Sequence, residues 1–423
     1  MFRGRKVREG GWYIKKPYAH FDLPMSFDIA SARVSDPGYV ASKAFWPFVG
    51  FNDTRRRFRT KNGAAVVDKK VRPLKYCSHH DGYIYSFYAQ ALNRQYEALV
   101  RYHCIDEVVL AYRRGLGSNV AMAKAAFDEI AFRENCCVIA LDIESFFDSI
   151  DHDILKDNLC EVLALQRLPA DWYAIFKSMT RYSWVDLDKL AVRLGFDAKD
   201  PPRPFCDAKS YREIVRRPAD SLVEKNVSTF GIPQGSPLSA VFSNIYMLKF
   251  DIACKRQFDK SGIYYRRYSD DILIVCDEQQ SGGAFEVIKS EIAKLGPAMK
   301  VNDGKTEISI FKTAPGQKVV CDFPVTYLGL SYDGGRTLLR NRTISRYYRR
   351  MTYAVRSTLR GAEQSGSAEP HLRSLYRDMT HLGRRSFYSY ARFASKVLGA
   401  PGPLRQLRRH VRILYRKLGN QGK

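Results

Sequence analysis

Two aspartates stand side by side, Asp270 and Asp271, between the basic aromatic run 264-YYRR-267 and the apolar run 272-ILIVC-276. Such flanks predict two short strands joined by a tight turn, with both carboxylates presented at the bend. Adjacent carboxylates on an apolar hairpin repel each other unless a cation neutralises them, and Mg²⁺ with phosphate oxygens does so. An ordinary charged surface turn has the same composition, so the pair needs support from elsewhere. Asp142 supplies it. The run Cys136 to Leu141 reads as a buried strand, and an acid at the end of such a strand is costly unless it is used. Together the three would give the oxygen ligands for two Mg²⁺ ions, one activating an attacking 3′-hydroxyl and one holding a triphosphate and its leaving group. The competing reading makes Asp142 a cap for the segment after it. Asp148, Asp151 and Asp153 read as residues that cap and orient the next helix.

Between these acids lies 230-FGIPQGSPLSAVFSNIYMLKFD-251. Gly231 and Gly235 let the backbone approach a ligand, Pro233 and Pro237 stiffen the loop, and Gln234 can bond template or a neighbouring backbone. From Pro237 a helix follows with Leu238, Val241, Phe242, Ile245 and Leu248 on one broad face, so loop and helix can wall a base-pair slot. Upstream, the pattern becomes helical after Asp81: Ile84, Phe87, Tyr88, Ala91 and Leu92 share a face that continues to Tyr96, Leu99 and Val100. Arg72 and Lys75, just before this helix, are candidates for a triphosphate or for plain surface charge. His79-His80-Asp81 has no third ligand at useful spacing and reads as structural hydrogen bonding or a helix cap ahead of a metal site. Residues 112–132 read as a basic Gly loop and a helix capped near Ser118 or Asn119; the loop lacks a Walker ending, and Arg113 and Arg114 are candidates to face a nucleic-acid backbone. Residues 154–185 read as helices interrupted at Leu168-Pro169, and 186–226 as an irregular surface excursion.

Charge points to a polyanionic partner. The chain has 423 residues and a net charge of +25. Residues 1–80 carry +11 and residues 336–423 carry +18, leaving −4 for the middle. Basic ends around a mildly acidic centre suit an enzyme that grips a phosphate backbone outside and holds metal ions inside. The cluster 55-RRRFRTK-61 is a candidate phosphate contact. The basic tail reads as helices over 346–360, 371–398 and 404–419, with a loop at 361–370. In the last helix Leu404, Leu407, Val411, Leu414 and Leu418 form a stripe that frees the arginines for phosphate. Arg346, Arg350, Arg405, Arg409 and Arg412 are the expected contacts; a merely solvated basic helix is the alternative. The 9 cysteines show no zinc-finger spacing and fit a reducing cytoplasm. No secretion signal and no transmembrane span is expected.

In order and content these residues resemble reverse transcriptases. Family motifs A, B and C match 141-LDIESFF-147, 231-GIPQGSP-237 and 268-YSDD-271. The lysine-bearing motif D resembles 304-GKTEI-308, preceded by 295-LGPAMKVN-302, and the hairpin at the base of the thumb resembles 327-YLGLS-331. The resemblance implies an α+β right-hand polymerase with fingers, a ferredoxin-like βαββαβ palm and a helical thumb. The corresponding division is a basic extension at 1–70, fingers at 71–135, palm with further fingers elements at 136–335 and thumb at 336–423. It also implies Mg²⁺-dependent nucleotidyl transfer, with Mn²⁺ as a substitute.

Residue by residue, the resemblance makes Asp142, Asp270 and Asp271 the catalytic, metal-binding carboxylates and Lys305 a proton donor to the departing pyrophosphate. Phe147 becomes an aromatic plate that leaves no room for a 2′-OH, while Gln234 and Gly235, with Arg72 and Lys75, meet the nucleotide. Ser269 stands where family members carry Ala, Met or Val. The fingers segment and the string 138-VIALDIESFFDSIDH-152 look bacterial, near group II intron and retron enzymes and most similar to the defence-associated, abortive-infection-like group. That implies an RNA-directed DNA polymerase copying a bound non-coding RNA in phage defence. Its partners would be template RNA, dNTPs and cDNA, in the cytoplasm and away from membranes; oligomeric state is left open. The alternatives are a template-independent DNA polymerase, a retron or intron enzyme, and a catalytically silent RNA-binding scaffold.

Overall fold

The computed structural model describes residues 11–61, 64–217, 219–313, 319–367 and 370–419; the side chains of 55–61, 64–68 and 70 stand outside that description. The candidate cluster 55–61 and residues 1–10 of the basic extension therefore lie outside the described side chains. The strands in chain order are β1 (Phe48–Lys61), β2 (Ala64–Tyr76), β3 (Cys136–Asp142), β4 (Ser183–Asp186), β5 (Glu224–Lys225) and β6 (Tyr264–Tyr268). They continue with β7 (Asp271–Cys276), β8 (Glu307–Lys312), β9 (Val320–Cys321), β10 (Val325–Tyr327), β11 (Leu330–Tyr332) and β12 (Thr337–Leu339). The chain divides into two discontinuous compact units, 1–112 with 143–255 and 289–301, and 113–142 with 256–288 and 302–423.

In the first unit β1 and β2 form a long antiparallel hairpin, and β1 also pairs in parallel with β4 through Phe48–Gly50. The expected boundary at residue 70 falls inside β2. The hairpin escapes the sequence pattern because its basic arms lack an alternating apolar face, and Pro73 argues against a strand. The helix His79–Tyr102 forms where the periodicity predicts it, burying Ile84, Leu92, Tyr96 and Val100. Its cap is Ser78 and not the His79-His80-Asp81 cluster, which lies in the first turn and is hydrogen-bonded there: Ser78 Oγ accepts from Asp81 N, and the Asp22 carboxylate accepts from His79 N and His80 N. Asp151 likewise caps the helix His152–Val162, accepting from Asp153 N and Ile154 N.

The segment 186–226 departs from its reading as an irregular surface excursion. It carries the helix Leu187–Leu194, and Leu190, Phe205 and Val215 enter a core with Ala19, Phe21, Val49 and Val185. Polar residues and prolines between these anchors hide the pattern. The strand β4 also replaces the end of the helical run expected to reach 185, since Trp184 and Val185 are β-favouring residues that find β1 as a partner.

The second unit is built on a five-stranded sheet in the order β6-β7-β3-β8-β9. Along the chain β3, β6, β7 and β8 are separated by helices, Ser239–Tyr246 and Leu248–Lys260 before β6 and Ser281–Ala293 between β7 and β8. That connectivity and strand order are those of the βαββαβ ferredoxin-like arrangement. With neighbours on both sides, β3 is buried along Cys136–Ile139. A small sheet β10-β11-β12 leads into the helix Asn341–Ser365. That helix runs past the expected stop at 360 because Gly361 is tolerated mid-helix and Gly366 supplies the left-handed cap. The expected helix over 371–398 is two, Arg373–Met379 and Phe387–Leu398. The last divides into Gly402–Arg405 and His410–Gly419, still burying Leu407 and Leu414. Among the described residues no helix is long and apolar enough to cross a membrane.

Candidate active site

Strand pairing brings the acids of the second unit together. β3 runs antiparallel to β7 with Asp142 opposite Asp271, and the β6–β7 hairpin pairs Tyr268 with Asp271, leaving Ser269 and Asp270 as its two-residue turn. Ser269 has φ +60° and Asp270 does not share that sign, the pattern of a type II′ turn. A glycine is the usual occupant, so Ser269 carries backbone strain. Two contacts hold it there. Its hydroxyl bonds the Asp270 carboxylate, and its carbonyl accepts from Arg267 Nη1 at 3.0 Å.

Arg267 itself is fully buried on the face of β6 that it shares with Tyr265, although Tyr and Arg occur on both faces of this strand. A guanidinium inside the fold is costly unless hydrogen-bonded. Here it braces the carboxylate turn, a role the sequence reading missed.

The acids perturb one another. Burial first, and the charge of Asp142 with it, raises the Asp270 carboxyl above its ordinary range, opposed by backbone donation, the Ser269 hydroxyl and Lys305. Asp271 is pushed up to about 7 by burial of its carboxyl, then by Asp270 and Asp142, while Lys305 and Arg340 pull it down. The Asp271 residue as a whole keeps an exposed face, so the shift describes a carboxyl crowded by like charge at a solvent boundary. Lys305 reaches the cluster from the 3₁₀ turn Asp303–Lys305, anchored by Asn302 N donating to Asp142 O at 2.8 Å. Its ammonium is ion-paired with Asp142 Oδ2. Among the described residues no group of three or more His, Cys, Asp or Glu side chains is already gathered as a metal cage. The donor set nevertheless fits a hard divalent cation: it is carboxylate oxygens only, and the mutual repulsion of Asp142, Asp270 and Asp271 is only partly offset by Lys305.

The first unit holds the predicted nucleotide-binding residues Arg72, Lys75, Phe147, Gln234 and Gly235, whereas Arg113 and the tail arginines belong to the second. The loop 231–237 is tied to the segment after Asp142: Ile232 N donates to Phe147 O at 2.9 Å and Gly231 N to Ile150 O at 2.8 Å. Gly231 has φ +90°. At Gly235, with φ +126°, an added Cβ would lie 2.6 Å from the Lys75 carbonyl oxygen, so only glycine fits. Lys75 N donates to Gln234 O at 2.9 Å, joining the loop to β2.

The Lys75 side chain is buried, its Nζ 5.4 Å from the Tyr182 ring centroid and 5.0 Å from that of Trp184. Burial lowers its affinity for a proton, and the charges of Asp148 and Glu224 counter that. Arg72 is three residues away on the same strand and so projects from the opposite face, where its cross-strand neighbour is Asp53. The structure thus brings Lys75 to the loop and separates it from Arg72. No spacing rule could have found the Tyr182–Trp184 cage, whose rings, at and just before the start of β4, lie far from Lys75 in sequence and reach it because β4 pairs with β1. Phe147 is half-buried and packs edge-on against Phe146 at 5.4 Å.

Residues 68–332 match the family described as reverse transcriptase (RNA-dependent DNA polymerase), more than half of the chain. The chain belongs to the reverse transcriptase family. Its α+β fold is the right-hand polymerase fold of that family, whose members generally use divalent ions such as Mg²⁺. Solved structures similar to it include telomerase from Candida albicans in complex with the TWJ fragment of telomeric RNA, at TM-score 0.42 and 12% identity over 93% of this chain and 66% of that one. Another is apo telomerase from Candida tropicalis, at TM-score 0.42 and 12% identity over 90% and 60%. A Candida tropicalis telomerase truncated from its C-terminal domain gives TM-score 0.39 and 12% identity over 66% and 53%. The chain thus spans between about half and two thirds of the structures it matches.

Proposed function

We propose that this reverse transcriptase family member is an RNA-directed DNA polymerase that adds deoxynucleotides to a primer by nucleotidyl transfer at Asp142, Asp270 and Asp271. The observation that carries the reading is the register placing Asp142 opposite Asp271 beside a turn that presents Asp270. These three carboxylates would hold two Mg²⁺ ions. When bound, such ions lower the pKa of a primer 3′-hydroxyl and neutralise charge on the triphosphate.

Lys305, within reach of the same carboxylates, is the proton donor to the departing pyrophosphate. In the first unit Gln234 and Gly235 meet the nucleotide, Lys75 fixes their loop, and Phe147 screens the sugar. Arg72 is assigned to phosphate contact independently of Lys75. Arg113 and the tail residues Arg346, Arg350, Arg405, Arg409 and Arg412 contact the nucleic-acid backbone; the five tail arginines are all exposed. The chain's resemblance to bacterial defence-associated enzymes supports a cognate non-coding RNA as template and a role against phage in the cytoplasm.

The test is primer extension on RNAs of defined sequence with Mg²⁺, the product being sequenced. Product complementary to the RNA, absent with Asp270→Ala, is expected. Product unrelated to the RNA would replace the reading with untemplated synthesis.

A further inference from the structure

The C-terminal helices enclose a cleft that the chemistry at the carboxylates leaves unused. It lies between the helices Asn341–Ser365 and Arg373–Met379 and has a volume of about 650 Å³. Arg346, Arg350, Tyr353 and Ser357 form one stripe along its wall, at steps of four, three and four residues. Buried Leu375 and Met379 line its apolar side.

Three features describe its occupant. First, Arg346 and Arg350 are like charges on successive turns, a destabilising arrangement, and neither has an ion-pair or hydrogen-bond partner among the described residues. The lining acid, Asp378, is engaged by Arg377 Nε at 3.0 Å. An anion would relieve the repulsion. Second, Tyr353 is 75% exposed beside these charges, an aromatic face left open among the described residues. Third, the hydroxyls of Ser357, Thr358 and Ser374 share the cleft. Lone phosphate would fill one corner. A duplex backbone would satisfy the arginines and leave the Tyr353 ring and apolar wall bare.

We infer that the cleft binds an unpaired stretch of RNA, with a base stacked on Tyr353, its phosphates on Arg346 and Arg350, and its 2′-hydroxyls near the serine and threonine side. The stripe is roughly 16 Å long, from 1.5 Å per residue, which suits two or three nucleotides. The inference rests on the polymerase reading for the identity of the RNA and assigns this cleft to template outside the duplex.

The test uses the purified full chain and fluorescence polarisation with a 12-nucleotide uridine-rich RNA, the same RNA as duplex, the matching single-stranded DNA, and an oligoglutamate competitor. Tyr353→Ala should weaken single-stranded RNA binding about tenfold or more and leave duplex binding within about twofold, while Tyr353→Phe keeps both. Arg346→Gln with Arg350→Gln should reduce the slope of log affinity against log salt by about one to two. Melting temperatures of the variants check folding, which exposed Tyr353 and the conservative Phe variant keep intact.

Unchanged single-strand affinity in Tyr353→Ala, or equal loss for strand and duplex, overturns the inference. So does tighter binding of the DNA strand, or displacement of RNA by oligoglutamate at equal concentration. Primer extension by the unmodified chain separates the two readings: no extension removes the polymerase assignment and leaves the binding contrast to stand or fall by itself.

Discussion

The carboxylate turn of the second unit and the Lys75 cage of the first treat charge in opposite ways. At the turn, Asp270 and Asp271 are crowded against each other and against Asp142, and their protons are held more tightly than in water. In the cage, one ammonium is enclosed by Tyr182 and Trp184, countered by Asp148 and Glu224, and its backbone is bonded into the loop. The turn keeps an electrostatic cost that an arriving cation removes. The cage keeps its ammonium at a burial cost that Asp148 and Glu224 only partly offset, and it ties the loop through the Lys75 backbone. Lys305 and Lys75 make the contrast concrete: one is solvent-accessible and paired to a single acid, the other is sealed.

The contrast sharpens most under substitution of the two lysines. Lys305→Met is expected to slow single-turnover extension by about two orders of magnitude, the range for loss of a general acid, with little change in nucleotide affinity. Lys75→Met should instead preserve most of the chemical rate and weaken nucleotide binding; equal kinetic signatures would erase the distinction. Next in size, Gly235→Ala should cost about 1–3 kcal/mol of stability through strain at its positive φ and the clash with Lys75 O, read from denaturant unfolding. Unchanged stability would mean that the loop is not fixed to β2.

The pH effect is smaller. A carboxyl whose folded pKa is raised gives stability that is present below its unfolded value near 4 and lost as pH rises through about 7. Without divalent ions the melting temperature should fall across that window, less so in Asp271→Asn. Smallest, Ser269→Ala removes the hydroxyl on Asp270 and should change extension only a few-fold, with its optimum moved to higher pH.

What could be read in advance follows from where the information lies. The β3 run, the hairpin after Tyr264 and the helix after Asp81 are written in local periodicity, and each forms there. The roles of Arg267 and Ser269 depend on which face of the hairpin is buried, and the run 264-YYRRY-268, with Tyr and Arg on both faces, leaves no signal for either. The Lys75 cage and the core around Phe205 and Val215 come from residues far apart in sequence, so no local pattern encodes them. The tail stripe was legible; the break at 406–409 was not, because Gln406-Leu407-Arg408-Arg409 has good helix propensity, whereas Gly383 and the capping Ser386 did mark the break at 380–386.

The claim that the carboxylate turn is held ready for a cation is tested most directly by calorimetric titration with Mg²⁺ at pH 7 in two buffers of different ionisation enthalpy. The account predicts binding with release of a substantial fraction of a proton, because Asp271 must lose the one its neighbours favour. It also predicts that the release disappears in Asp271→Asn. Mg²⁺ binding without proton release, or release that persists unchanged in Asp271→Asn, would contradict it.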